Sequence, residues 1–281
     1  CKDVLFVDTA LAMQVPYPSE DAPIASQTIG TAQEAGWIWD IGLPTRRGVG
    51  HVYSSAHIDE DRAEQQLRDY LRPSVKDADS LSFRKITINP GHRTKFWEKN
   101  CVAIGLSAGF LEPLEASALL LIEIAGAMIA DQFPVNRETM DIISKRYNET
   151  FLYRWDRIID FLKLHYVLSE RTDSSFWIEN RDPATTPDSL LELLKLWRYQ
   201  SPWHDDFDRA VEVFPAASYQ YVLYGMGFRT ETNPIGTSKQ ERKTAMQFFE
   251  QNERQVQELV SSMPTNRELL NKISEYGLQR V

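Results

Sequence analysis

The sequence has few cysteines and no long apolar run, and each absence excludes a class of protein. Only Cys1 and Cys101 occur among 281 residues, which is too few for a disulfide-stapled secreted fold and fits a reduced, cytoplasmic compartment. The most apolar stretch, Leu119 to Ala130, is interrupted by Glu123. A membrane-spanning helix needs roughly twenty apolar residues, so this stretch predicts a buried helix, and we expect no membrane partner.

Positive charge is also scarce, with 31 basic against 40 acidic side chains and a net charge of −9. Nucleic-acid affinity depends largely on Lys and Arg side chains that neutralise phosphates, so we expect no nucleic-acid partner. The glycine-rich GxGxxG loop that binds dinucleotide phosphates is absent after the first predicted strand. The acids that follow His204 have no spaced His or Cys set beside them, so we expect no metal site.

The first hundred residues have the character of strands, with one helix among them. Segments rich in β-branched and aromatic residues predict strands at Asp3–Thr9, Gly48–Ser54 and Leu81–Ile88. Asp59–Leu71 carries acids in its first turn and an apolar face, which predicts a surface helix. Ser19–Glu34 is mostly polar or small and is predicted to be a loop or an irregular edge.

After Pro134 the pattern becomes helical. Apolar residues recur every three or four positions from Asn136 to about Leu168, which predicts one long helix. Capping signals and apolar periodicity predict further helices at Ser189–Arg198, from Ser238 to Val260 and from Thr265 onward. The chain is therefore predicted to be an α+β protein whose second half is almost purely helical.

The segment Asn100–Asp131 combines a glycine-bearing turn with a helix start. Gly105 and Gly109 allow the backbone to approach another strand or a ligand closely, and Pro113 and Glu115 are predicted to open an apolar helix. The free N–H groups at a helix N-terminus attract an anion such as a phosphate or a halide. The residues alone favour the simpler alternative, a loop that leads into a core helix, with Glu115 placed well by the helix dipole.

Two aromatic segments are candidates for a ligand pocket. Trp37 and Trp39 are two residues apart, so on a strand both indoles project from the same face. They form either a core layer, which is the commoner use of such residues, or one wall of an apolar pocket. Phe214–Phe228 is dense in aromatics and fits either a pocket for a planar substrate or helix packing, and the sequence leaves both open.

Several segments, in the right order along the chain, resemble the flavin-dependent tryptophan halogenases. They are Trp37–Ile41 with Arg46–Ser55 after it, Phe96–Ser117, Ser218–Gly227 and Ser262–Leu270. The resemblance implies a two-part protein. Residues 1–134 would be the C-terminal part of a FAD- and halide-binding α/β module of the flavin monooxygenase type, and residues 135–281 a mostly helical substrate-binding module.

The same resemblance implies an activity and its partners. The expected enzyme uses FADH2, molecular oxygen and chloride or bromide to halogenate a small aromatic substrate, an indole or a phenol. A separate flavin reductase would supply the reduced FAD, which carries out the difficult chemistry while the protein supplies orientation and electrostatics. The resemblance allows a homodimer.

Roles for individual residues also follow from the resemblance. Glu115 falls at the position of the active-site glutamate, and the backbone N–H groups of Ser117 and Ala118 fall where the halide is held. The residues that would contact flavin are Gly105, Leu106, Ser107 and Leu119. The residues that would line the substrate site or its tunnel are Trp37, Trp39, Phe214 and Tyr219.

Departures from the family pattern bear on substrate and halide. Ala116 and Ala118 stand in the Glu-Ser-Thr-Gly segment of the family, which here is Glu-Ala-Ser-Ala. Phe214 stands where the family has a substrate-stacking tryptophan, so free tryptophan is not the expected substrate. Two alternatives stay open: an aromatic flavin monooxygenase, against which the paired tryptophans count, and a non-catalytic binding module, which the two alanines favour.

The glycine-rich flavin loop and the catalytic lysine of the family belong to a segment that would precede Cys1. We therefore expect the chain to be the C-terminal part of a longer halogenase. These residues alone are expected neither to bind flavin tightly nor to turn over.

Overall fold

The computed structural model describes residues 1–207, 212–231 and 239–278. The strands of its main sheet are β1 Thr9–Pro16, β2 Ile29–Gln33, β3 Gly36–Gly42, β4 Arg46–Tyr53 and β5 Phe83–Thr87. They pair antiparallel throughout, in the order β2-β3-β4-β1-β5. Short strands form two further ribbons, in which β6 Gly91–His92 pairs with β9 Gly109–Phe110 and β7 Trp97–Glu98 pairs with β8 Cys101–Val102.

Most of the described chain beyond the sheet is helical. The α-helices are α1 Glu60–Leu71, α2 Ala118–Asp131, α3 Arg137–Val167, α4 Ser175–Glu179, α5 Asp188–Trp197, α6 Ala216–Gly225, α7 Lys239–Ser262 and α8 Asn266–Tyr276. Single 3-10 turns lie at Ala78–Ser80, Gly105–Ser107, Leu114–Ala116, Pro183–Thr185 and His204–Asp206. None of the helices in the described ranges is long and apolar enough to cross a membrane.

The two faces of the main sheet have different neighbours. On one face, Nδ1 of the buried His51 lies 3.0 Å from the carbonyl oxygen of Ala63 in α1, and burial lowers the pKa of His51 to about 4. The opposite face carries Trp37 and Trp39, because side chains two residues apart on a strand point the same way. Helix α1 therefore covers one face and leaves the two indoles on the other.

Two of the predicted helices begin as their sequences indicate. The carboxylate of Asp59 accepts from the backbone N–H of Arg62 over 2.8 Å at the start of α1. The side chain of Asn136 accepts from the N–H of Thr139 over 2.9 Å at the start of α3. The predicted apolar stripe of α3 is largely buried, at Tyr147, Phe151, Trp155, Ile158 and Leu162. The single long helix is confirmed.

The helices predicted further along the chain are also present. Helix α5 matches the prediction for Ser189–Arg198 to within one residue at each end, and α7 matches the next one, although Ser238 lies outside the described residues. At the start of α8, the N–H of Thr265 donates to the carboxylate of Glu268 over 2.8 Å, and the N–H of Glu268 donates back to the Thr265 hydroxyl over 3.2 Å. This reciprocal pair is the predicted capping box.

Two predictions about the first strands are corrected. Asp3–Thr9 is not a strand, since regular pairing begins only at Thr9. Its apolar residues Leu5 and Val7 are buried in the core without joining a sheet, so β-forming composition here reflects burial. Ser19–Glu34, predicted to be a loop or irregular edge, contains the regular edge strand β2.

Helix α2 was predicted to be buried, and this prediction is wrong for the described residues. Only Leu121 and Ala125 of the helix are buried, and the side chain of Leu119 is 79% exposed. The described chain packs against one side of α2 only. The apolar composition of the helix is therefore not matched by burial of its side chains.

The mixed α+β composition is confirmed. The core of the sheet continues to the first half of α3, where Tyr147 and Phe151 share a cluster with Trp37 and Ile38. A second cluster joins the end of α3 to later helices and contains Phe161, Leu164, Leu190, Trp197, Tyr219 and Leu223. The division into modules at residue 134 remains a prediction.

Candidate active site

The turn before α2 has an unusual backbone. Glu115 has φ 63° and Ala116 has φ 45°, so two consecutive residues other than glycine lie in the left-handed region. Each such residue costs roughly 1 to 2 kcal/mol, and strain of this kind clusters at functional sites. The prediction that Pro113 and Glu115 open the helix is corrected, because α2 begins at Ala118 and Glu115 lies in the strained turn that precedes it.

Three cavities meet at this turn. The first, the Trp cavity, has a volume of about 620 Å³ and is lined by Trp37, Trp39, Ile86, Glu115 and their neighbours. The second, the helix cavity, has a volume of about 320 Å³ and lies between the turn and α2. The third, the His cavity, has a volume of about 650 Å³ and is lined by Trp37, Leu114, His165, Tyr166 and others. Residues of the 113–116 turn line all three.

The paired tryptophans line the Trp cavity, and Trp37 also belongs to the buried core cluster, so the structure shows both uses that the sequence leaves open for such residues. Their ring centroids are 6.3 Å apart at an interplanar angle of 65°. Trp39 lies opposite Gly50 in the register of β3 and β4. A Cβ at Gly50 would lie 2.1 Å from the Trp39 ring. The Trp39 indole therefore fits in this position because residue 50 has no side chain.

Glu115 contacts a histidine that sequence reasoning did not connect to it. Oε1 of Glu115 lies 3.1 Å from Nε2 of His165 in α3. Nδ1 of the same ring lies 2.8 Å from the carbonyl oxygen of Phe161. The side chains of Glu115 and His165 are 36% and 21% exposed, and Glu115 lines the Trp cavity whereas His165 lines the His cavity.

A second carboxylate, Glu112, lies buried below the turn. Its Oε2 accepts hydrogen bonds from Nε1 of Trp37 over 2.9 Å and from the hydroxyl of Tyr166. Its Oε1 has no hydrogen-bond partner within the described chain. Burial raises the pKa of Glu112, and the hydrogen bonds from Tyr166 and Trp37 oppose that rise only in part. Glu112 therefore links β3, the strained turn and α3.

Lys163, a fully buried lysine, lies in α3. Nζ of Lys163 donates to Oδ1 of Asn180 over 2.8 Å and to Oγ1 of Thr185 over 3.0 Å, and it lies over the ring of Phe6. Burial lowers the pKa of Lys163 to about 8, and the Glu112 carboxylate opposes this. These contacts hold α3 against the segment that follows α4, so the role of Lys163 here is structural.

The helix cavity brings together the residues predicted to contact flavin and halide. Gly105, Leu106, Ser117, Ala118 and Leu119 all line it. No side chain of the described residues caps α2 at Ser117, so the first N–H groups of the helix are available to an anion. The rest of the lining is almost wholly apolar, which suits a flat, mostly apolar ring system. The residues present therefore fit both a halide and a flavin.

Ser107, the remaining predicted flavin contact, has its hydroxyl engaged locally. It accepts from the N–H of Ile104 over 3.0 Å and donates to the carbonyl of Ile104 over 2.8 Å. Gly105, at φ 60°, makes the same turn possible. Ser107 shapes the rim of the helix cavity through this turn.

The predicted substrate residues of the helical part lie in the second core cluster. Tyr219 is fully buried there, and Phe214 stacks on Phe161 with centroids 4.0 Å apart. Phe161 in turn meets the ring of His165 edge-on at 5.2 Å. Of the aromatic segment 214–228, the residues that line the His cavity are Gly225 and Met226.

Sequence reasoning missed His165, Glu112 and Tyr166. The sequence offers one weak signal, which concerns His165: it follows Phe161 by four residues and therefore lies on the same face of the helix. Within the described residues, no three His, Cys, Asp or Glu side chains come together as a candidate metal site.

Comparison with known proteins gives a consistent result. A family profile described as "Tryptophan halogenase" matches residues 1–241. Tryptophan 6-halogenase SttH from Streptomyces toxytricini is 34% identical over 226 residues, which cover 80% of this chain and 42% of that protein. 7-Chloro-L-tryptophan 6-halogenase KtzR from Kutzneria sp. is 35% identical over 231 residues, 80% of this chain and 43% of that protein. The chain thus spans less than half the length of these curated relatives.

Solved structures resemble the fold closely. A tryptophan halogenase from Shewanella frigidimarina superposes with a TM-score of 0.95 at 51% identity, over 100% of this chain and 53% of that one. BrvH, a flavin-dependent halogenase from Brevundimonas sp. BAL3, superposes with a TM-score of 0.83 at 32% identity, over 97% of this chain and 54% of that one.

Proposed function

This chain belongs to the tryptophan halogenase family, and we propose that it carries the active-site carboxylate of a flavin-dependent halogenase. The proposed enzyme uses FADH2, oxygen and chloride or bromide to halogenate an indole or a phenol. The observation that carries this proposal is the position of Glu115. It lies in a strained turn between an aromatic-walled cavity and an uncapped helix N-terminus.

Each part of the site has a task in the proposed reaction. Bound reduced flavin with oxygen supplies the oxidising power that makes a halide electrophilic. The N–H groups of Ser117 and Ala118 hold the halide, and Leu106 and Leu119 contact the flavin, at a rim shaped by Gly105 and Ser107. Trp37 and Trp39 present an apolar surface to the substrate. Because this surface excludes water, it strengthens the electrostatic effect of Glu115.

Glu115 acts on the reacting ring. When an electrophilic halogen adds to an aromatic carbon, the ring becomes positively charged, and a carboxylate beside it stabilises that charge. The ring C–H bond then breaks, its electrons return to the ring, and the proton passes to a Glu115 oxygen. Phe214 and Tyr219 support this site from the helical part through the ring of Phe161.

The finer organisation is part of the same proposal. Residues 1–134 belong to a flavin- and halide-binding module of the flavin monooxygenase type, and residues 135–281 to a helical substrate module. A separate flavin reductase supplies FADH2, and the enzyme works in the cytoplasm, where the exposed thiols of Cys1 and Cys101 stay reduced. A homodimer is compatible with this arrangement.

The test is bromination by the complete gene product. The protein is supplied with FAD, a flavin reductase, NADH, oxygen and bromide, and is offered indole, phenol and L-tryptophan in turn. The proposal expects at least one product that has gained bromine in place of hydrogen by mass. A product that has gained oxygen and no bromine would identify a monooxygenase, and no product on any of the three would contradict the proposal.

A further inference from the structure

His165 has one ring nitrogen whose role is fixed by its neighbour. Nδ1 lies 2.8 Å from the carbonyl oxygen of Phe161. A carbonyl oxygen only accepts hydrogen bonds, so Nδ1 must carry the proton. In neutral His165 the lone pair is therefore on Nε2, the nitrogen that faces Oε1 of Glu115 at 3.1 Å. The basic nitrogen of His165 therefore faces the carboxyl group of Glu115.

The contact itself requires a proton. A carboxylate oxygen and an unprotonated Nε2 are both acceptors, and two acceptors at 3.1 Å repel each other unless a proton lies between them. A proton shared between Oε1 of Glu115 and Nε2 of His165 would therefore stabilise this contact. Loss of that proton leaves a carboxylate and a neutral imidazole, which is the state that can accept the next one.

We propose that His165 is a positioning residue that takes from Glu115 the proton removed from the aromatic ring. This inference rests on the proposed function. In the step, the O–H bond of protonated Glu115 breaks and an N–H bond forms at Nε2, which leaves a carboxylate and an imidazolium. The imidazolium then releases its proton to water, and the pair is ready for another turnover.

The position of His165 gives that proton a way out. The ring lines the His cavity, whereas Glu115 lines the Trp cavity. The proton thus leaves into a cavity other than the one proposed for the substrate. The ring orientation is held by the Phe161 carbonyl and by the Phe161 ring, edge-on at 5.2 Å.

Few charged groups compete for this proton. From the turn, Glu115 contacts the ring, and the buried Glu112 is near enough for His165 to oppose slightly the rise that burial causes in the pKa of Glu112. From the segment after α3, Glu170 and Arg171 line the same cavity, and Arg171 is paired with Asp173 at 2.6 Å. The lining residues from α6 and the sheet carry no titratable side chain. The carboxylate of Glu115 is the group in direct contact.

The chain offers a matched control. Nε2 of His57 lies 3.1 Å from Oε2 of Glu179, the same distance as in the proposed pair. Nδ1 of His57 instead faces the hydroxyl of Ser54 at 2.8 Å, and a hydroxyl donates or accepts equally well. His57 and Glu179 line none of the three cavities. A histidine–glutamate pair outside the three cavities can therefore be altered in parallel.

The first readout does not depend on activity. Two-bond ¹H–¹⁵N spectra of the complete protein with ¹⁵N-labelled histidine report which ring nitrogen carries the proton, and the His165 signal is the one lost in His165→Gln. We expect the Nδ1–H form when His165 is neutral, with His51 as an internal example because its Nδ1 also faces a carbonyl. An Nε2–H form would overturn the inference, because no base would then face Glu115.

The second readout is the pH profile of bromination, measured on the probe that the wild type brominates best. Glutamine in place of His165 keeps a polar group near Glu115 and cannot take up a proton. The wild-type rate should rise with pH, because His165 accepts the proton only in its neutral form. His165→Gln should flatten that rise and lower the rate about tenfold or more at its upper end. His57→Gln should keep the wild-type profile.

The outcomes separate this inference from the function on which it rests. Bromination by the wild type with an unchanged profile in His165→Gln overturns the role of His165 and leaves the halogenase proposal standing. Absence of bromination in the wild type overturns both.

Discussion

The indole Nε1–H of Trp37 donates to Oε2 of Glu112 over 2.9 Å, between residues 75 positions apart in the sequence. The bond joins a wall of the Trp cavity to the segment that leads into the strained turn at Glu115. Because Tyr166 donates to the same oxygen, the strand, the turn and α3 are held by a single buried carboxylate. The orientation of the indole and the position of Glu115 are therefore coupled.

The burial of Glu112 should make the stability of the folded protein decrease as the pH rises. Burial raises the pKa of this carboxyl in the folded protein, so the folded state binds the proton more tightly than the unfolded state. The stability due to this group is complete below its ordinary titration range and decreases as the pH rises above it. Glu112→Gln removes the titration, so the melting temperature of the variant minus that of the wild type should grow as the pH rises above the ordinary titration range of a glutamate.

Calorimetry at several pH values measures this difference directly. Glu123→Gln, at an exposed position of α2, serves as the control and should show a small difference that does not vary with pH. A constant difference for Glu112→Gln would mean that the buried carboxyl does not titrate differently on folding.

Gly50 should be intolerant of any side chain. A Cβ there would lie 2.1 Å from the Trp39 ring and 2.7 Å from the carbonyl oxygen of Leu11. Gly50→Ala should therefore displace the indole and destabilise the protein by about 1 to 3 kcal/mol. Gly48, on the same strand, has nothing within 4 Å of its Cβ position, so Gly48→Ala should be close to neutral. Urea unfolding followed by tryptophan fluorescence compares the two, and equal losses would contradict the placement of Trp39.

The strained turn should relax when glycine replaces alanine. Ala116 is exposed and has φ 45°, a conformation that glycine adopts without a steric cost. Ala116→Gly should therefore stabilise the protein by about 1 kcal/mol. Ala127→Gly, at an exposed position within α2, should destabilise it by about 1 kcal/mol because of the lower helix propensity of glycine. The two changes in unfolding free energy should have opposite signs, and a loss in both would argue against a left-handed Ala116.

How much of this could be predicted depends on how local each cause is. The stripe of α3 and the capping pair at Thr265 follow from neighbours a few residues apart, and both are visible in the sequence. So is the shared face of Trp37 and Trp39, because strand periodicity alone determines it.

The rest depends on contacts between distant segments. The pairing of Glu115 with His165 joins residues 50 positions apart, and nothing near either residue indicates it. The left-handed backbone of Glu115 and Ala116 is imposed by the surroundings of the turn, since neither residue type favours it. Leu5 and Val7 have the composition of a strand, yet tertiary packing buries them outside any sheet.

The central claim is that Glu115 is the carboxylate that acts on the substrate ring, and bromination by Glu115→Gln tests it most directly. The glutamine keeps the size and polarity of the side chain and loses the negative charge and the ability to take up a proton. We predict that Glu115→Gln lowers the bromination rate of the complete protein at least about a hundredfold, while its melting temperature stays near that of the wild type and Glu123→Gln retains full activity. A Glu115→Gln variant that brominates at the wild-type rate would contradict the account.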